Sequence, residues 1–162
     1  MVSRLEIRNK KGVMDAEGMS IQAKARDYFG LNVDEIQTIK VLTIDADLSD
    51  KQLEELQTEI FQNPVTEDSS YGPLAGDFDW MVWVGFRPGV RDTAGSTAVE
   101  AIEDLLKISL KDGESVYTSK LYEIKGGLTK DEASMIPKEI LANEIIQQWR
   151  IFSKDEWDRK NG

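Results

Sequence analysis

The chain has 162 residues, 40% hydrophobic and 31% charged, ordinary values for a globular protein with one core or with two small halves sharing one. It has no cysteine and no histidine, which excludes disulfides, thiolate nucleophiles, histidine triads and histidine-held zinc, while carboxylate-held magnesium stays open. The net charge of −10 argues against nucleic-acid binding, no stretch approaches the ~20 apolar residues of a membrane span, and the opening MVSRLEIRNKKG lacks a signal-like apolar core, so a cytoplasmic location is expected.

Leu5 and Ile7 alternate with Arg4, Glu6 and Arg8, the period-2 pattern of a half-buried strand. Gly12-Val13-x-Asp15-x-x-Gly18 then reads as a turn followed by a helix whose N-cap is Asp15. Ile21, Ala25, Tyr28 and Phe29 make one apolar helical face, and Gly30 is placed to end the helix in the left-handed conformation. Residues 37–45 predict a strand, and Ser49-x-x-Gln52 is a capping box opening a helix with Leu53, Leu56 and Ile60 on its apolar face. Residues 64–77, with two prolines, glycines and paired serines, read as a loop linker.

The second half begins with Trp80 to Phe86, a strand apolar on both faces. Gly89-Val90-x-Asp92-x-x-Gly95 follows, then a helix carrying Ala98, Ile102, Leu105 and Leu106. Residues 116–125 predict a strand, and Thr129-x-x-Glu132 caps a helix with Ala133, Ile136 and Ile140 inward. Pro137 conflicts with that helix and predicts a kink or a restart with the proline in a new first turn. Residues 144–152, with Ile145, Ile146, Trp149 and Ile151, predict a closing strand with no counterpart in the first half, and the polar tail 154–162 is expected to fray.

The two halves match residue by residue. Gly12, Val13, Asp15 and Gly18 recur 77 residues later as Gly89, Val90, Asp92 and Gly95; Thr38, Lys40, Ile44, Leu48 and Asn63 recur 80 residues later as Thr118, Lys120, Ile124, Leu128 and Asn143. The change of offset places an insertion near Lys111-Asp112-Gly113. An internal duplication follows, with residues 1–63 as the first repeat, 64–77 as linker, 78–153 as the second repeat and 154–162 as tail.

Strand, G-V-x-D-x-x-G, helix, long strand, helix and a closing Leu141-Ala142-Asn143-x-x-Ile146-x-x-Trp149 segment together resemble PurS, a small component of phosphoribosylformylglycinamidine (FGAM) synthase. The resemblance covers residues 4–152 and implies an α+β fold: two PurS-like βαβα(β) repeats related by a pseudo-twofold, with sheets packed against helices. A doubled PurS is similar to the N-terminal domain of the large single-chain form of that enzyme. The tail reads as a linker cut short, so a fragment is expected rather than a separate subunit. The resemblance further implies an assembly role in purine biosynthesis, within an ATP-dependent ligase. The partners would be the synthetase and glutaminase parts between which ammonia passes. No catalytic, cofactor-binding or metal residue is expected on this chain, ATP and magnesium being held by the synthetase.

Four local features invite a functional reading. The paired G-V-x-D-x-x-G motifs superficially suggest a phosphate cradle, but Met19-Ser20 and Ser96-Thr97 do not supply the lysine a P-loop needs, so Gly12, Asp15, Gly18, Gly89, Asp92 and Gly95 are assigned to turns and caps, as are Ser49 and Thr129. Asp45, Asp47 and Asp50 suggest a cation site, against which a solvated turn is preferred. Trp80, Trp83, Phe86 and Trp149 are the interface candidates, because exposed aromatic surface marks partner sites; a strand buried between layers of this domain is the alternative, and is slightly preferred. The competing reading is a regulatory module binding a small ligand between repeated halves, for which no motif is required.

Overall fold

The computed structural model describes residues 2–161. In chain order the elements are β1 (Val2–Asn9), α1 (Ala16–Phe29), β2 (Val33–Asp45), α2 (Asp50–Leu56), β3 (Glu67–Ser70), β4 (Trp80–Phe86), α3 (Thr93–Leu106), β5 (Ser115–Gly126), α4 (Lys130–Ile136), β6 (Gln147–Ser153) and α5 (Lys154–Asn161). Short π-helical segments, Gln57–Phe61 and Pro137–Leu141, extend α2 and α4. The class is α+β, and the strand order is β3-β1-β2-β5-β4-β6.

The chain divides into two compact units, and neither is one half of the sequence. The first unit holds residues up to Val13, then Lys40–Leu74 and Arg91–Ser119. Its core joins Ile44, Ala46 and Leu56 from the first half with Ala98, Ile102 and Val116 from the second. Here β1 pairs antiparallel with β2, Leu5 opposite Leu42, and with β3, Ile7 opposite Ser69.

The second unit holds Met14–Ile39, Ala75–Val90 and the chain from Lys120 onward. Its core packs Ile21 and Ala25 of α1 and Val33 and Ile36 of β2 against Val82, Val84, Tyr122, Ile124 and Ile136. In this unit β4 pairs antiparallel with β6, Met81 opposite Phe152. Each unit therefore takes its fourteen-residue helix from the other half of the sequence.

Several expectations need correction. Residues 67–70 of the presumed linker form β3: the segment Glu-Asp-Ser-Ser has no apolar alternation, yet backbone pairing to β1 and the Gln57 amide on the Ser69 carbonyl (3.1 Å) hold it as an edge strand. The tail is helical to Asn161; Gly162 lies outside the described residues. Tyr28, assigned to the buried face of α1, is 79% exposed. The closing strand starts at Gln147, leaving Ile145 in the preceding turn at 85% exposure. Pro137, by contrast, sits where it was expected, in the first turn of a new helical segment, where a missing N–H costs little.

Candidate functional site

The two G-V-x-D-x-x-G motifs fold alike. Gly12 and Gly89 take positive φ values of 89° and 83°, which lets the chain turn sharply off β1 and β4. Asp15 accepts from the Gly18 N–H at 2.9 Å, capping α1, and its other oxygen takes the Thr38 N–H at 2.6 Å and hydroxyl at 2.9 Å. Asp92 repeats the arrangement with Gly95 at 2.8 Å and with the N–H and hydroxyl of Thr118 at 2.6 and 2.8 Å. Gly18 and Gly95 close the clasp, since a Cβ there would collide with the carbonyls of Ile36 and Val116. A phosphate at either turn would meet a carboxylate already holding the donors it needs. These residues tie a helix to a strand.

The capping boxes are complete at both α2 and α4. Ser49 Oγ accepts from Gln52 at 3.2 Å while Gln52 returns a bond to Ser49 at 2.9 Å; Thr129 and Glu132 do the same at 3.2 and 3.0 Å. The Asn63 and Asn143 turns also correspond: each side chain accepts from the N–H two residues on, at 3.0 and 3.1 Å. Asp45, Asp47 and Asp50 do not gather around a cation site. Asp47 instead donates its N–H to Glu114 at 2.6 Å, and this bond, with one from Lys111 (the stronger influence), holds the Glu114 carboxyl below its ordinary range. Among the described residues no group of three or more acids is placed to hold a metal.

The apolar character of β4 is largely explained within the second unit. Val82 and Val84 face the helices, with Trp80, Trp149 and Ile151 packed at the margin of the same core. On the opposite face Met81 is fully buried; its cross-strand partner Phe152 meets Trp157 of α5, ring centroids 5.6 Å apart. Trp83 shares that face, and its indole lies along Gly85, where a Cβ would strike the ring. Trp80, Trp83, Phe86 and Trp149 are each half-buried. Trp80 also donates its indole N–H to the Leu128 carbonyl at 3.2 Å.

Two buried acids escaped the sequence reading. Glu6, expected on the solvent side of β1, is 3% exposed; it accepts from the Leu74 N–H at 3.0 Å and lies 3.2 Å from Arg4 Nε. Glu123 is 4% exposed and accepts from the Gly76 N–H at 2.8 Å. Each carboxylate pins backbone of the segment that leads into β4, and period-2 alternation alone gives no signal for it. Two open grooves lie on the surface, one in the first unit beside Val2, Arg4, Asp50, Glu54 and Tyr71, another in the second beside Asp79, Trp80 and Gly127. Among the described residues no helix is long and apolar enough to cross a membrane.

Residues 2–73 match the family model described as PurS: Phosphoribosylformylglycinamidine (FGAM) synthase, and the match runs through β3. No curated protein matches the chain. Residues 2–73 are thus similar to the PurS family, a match consistent with a PurS-like domain in this part of the chain.

Proposed function

We propose, from the PurS match over residues 2–73, that the whole chain is a tandem PurS-like assembly domain of FGAM synthase. Its role is to dock the synthetase to the glutaminase so that ammonia passes without loss, and it contributes no catalytic residue. Residue for residue, the recurrence of the Asp15–Thr38 clasp as Asp92–Thr118 supports the duplication, as does the recurrence of the Asn63 turn at Asn143. The half-buried aromatic side chains Trp80, Trp83, Phe86 and Trp149 support a contact surface, since interface cores are rich in such residues. ATP and magnesium belong, in this reading, to the synthetase, and the cytoplasm is the compartment.

The PurS match carries this reading. Its test is binding of the full chain to a purified synthetase–glutaminase pair, wild type against Trp83→Ala. A dissociation constant weakened at least tenfold, with an unchanged thermal midpoint, is expected for an interface tryptophan, about 1.4 kcal/mol or more. Equal affinity for the two proteins removes Trp83 from the interface, and no binding by the wild type removes the docking role.

A further inference from the structure

Within the second unit, three side chains from opposite halves of the sequence meet. Glu17, in the first turn of α1, places both carboxylate oxygens 3.0 Å from Lys120 Nζ. The Tyr122 hydroxyl donates to Glu17 Oε1 at 2.9 Å. Lys120 and Tyr122 project from alternate positions of β5, and Tyr122 is 4% exposed, so its hydroxyl depends on an acceptor supplied by the other half.

The corresponding positions in the first unit are different in kind. At the 77-residue offset Glu17 becomes Ala94; at the 80-residue offset Lys120 and Tyr122 become Lys40 and Leu42. There Leu42 packs against the apolar core of its unit, and Lys40 turns to Glu67, 3.7 Å away. In the second unit a helix carboxylate meets phenol and ammonium; in the first the equivalent helix position is the exposed Ala94, which has no polar group to offer, and the strand carries Leu42 where Tyr122 stands.

We infer that Glu17, Lys120 and Tyr122, set against Ala94 and Leu42, form a pairing code by which the first half of this chain selects the second half as its partner. Two first halves brought together would set Glu17 opposite Leu42, where no hydroxyl meets it. Two second halves would set Ala94 opposite Tyr122, and a buried phenol would lose its acceptor. The unlike pairing alone gives Tyr122 its acceptor; two first halves keep a lysine, Lys40, opposite Glu17 and lose only the hydroxyl bond, so discrimination comes chiefly from the phenol stranded when two second halves meet. The partner that this surface fits is the other half of the same polypeptide. A tether raises that half's effective concentration to the millimolar range or thereabouts, and the code keeps two chains from joining like to like when they fold side by side.

The inference rests on the duplication but not on any role in purine synthesis, so its test uses the full chain without synthetase or glutaminase. Glu17→Lys opposes two lysines within one chain; Lys120→Glu opposes two carboxylates. Refolded separately, each should stay mostly single-chain with a lowered denaturation midpoint. Refolded as an equimolar mixture, they should yield a two-chain species by light scattering, because each half then finds its complement on the other chain. A two-chain fraction tenfold above that of either variant alone is expected; an equal fraction overturns the code. Should either variant fail to fold, a double-mutant cycle between Glu17→Gln and Tyr122→Phe decides the matter. Coupling of fivefold or more in the unfolding equilibrium is expected, and additive effects overturn it.

Discussion

Asp15 and Asp92 each satisfy a helix N-terminus and a strand backbone with one carboxylate. Asp15→Ala and Asp92→Ala should each cost about 2 kcal/mol, a lost cap plus a strand N–H left without its acceptor. Gly18→Ala and Gly95→Ala should cost a similar ~1–3 kcal/mol through the clash with a strand carbonyl; urea denaturation measures all four. The caps were legible in the sequence because an N-cap is a local event. Their second partners were not: Thr38 and Thr118 stood out as matched positions, but 23 and 26 residues separate them from Asp15 and Asp92, and matching does not say what a residue touches.

Tyrosine protonation offers a second prediction at this scale. Burial pushes the Tyr71 phenol up from 10.0 to about 12, its hydroxyl donating to the Leu53 carbonyl at 2.6 Å. Burial first, and the Glu17 carboxylate second, push Tyr122 higher still. Between pH 10 and about 12 the unfolded chain sheds protons that the folded chain keeps, so stability present below 10 declines as pH rises through this window. Tyr71→Phe and Tyr122→Phe should each flatten the decline in alkaline denaturation curves. A decline of wild-type steepness in both variants would assign it to other groups.

At the scale of elements, α5 shows how an average conceals structure. The tail is polar overall, so it reads as fraying, yet Ser153-x-x-Glu156 is the same capping box already recognised at Ser49 and Thr129, and both of its bonds form, at 3.1 and 3.2 Å. One apolar residue, Trp157, is enough to dock the helix when it lands on Phe152, and Lys154 adds a cation over the Phe78 ring, 4.4 Å from its centroid. Trp157→Ala should therefore cost about 3 kcal/mol, within the range for a buried aromatic, and should expose Met81 and Phe152 to a hydrophobic dye. Pro137 is the reverse case. It looks costly in a helix, but it occupies the place of Gln57 at the start of a π-helical turn, so Pro137→Ala should change stability by less than about 1 kcal/mol.

At the scale of the whole molecule, strand and helix periodicity revealed nearly every element but not the units they build. Hydrophobic spacing states that Ile21 and Ala25 face a core; it does not state that the core contains Val82 and Tyr122, some 60 to 100 residues away. The exchange of α1 and α3 between units was invisible for that reason, as were Glu6 and Glu123, whose burial depends on the chain that crosses over them. The interface candidates were found by excess: β4 carries more aromatic surface than one face requires. Part of that excess is spent on α5, and the half-buried Trp83 is the side chain that the proposed docking role assigns to a partner.

Reconstitution of FGAM formation from a synthetase and a glutaminase, with and without this chain, tests the assembly role most directly. Added chain should raise the glutamine-dependent rate at least tenfold and leave the ammonia-dependent rate of the synthetase unchanged, because docking affects delivery of ammonia and not its use. A glutamine-dependent rate indifferent to the chain would contradict the assembly role, and turnover by the chain alone would replace it with an enzymatic one.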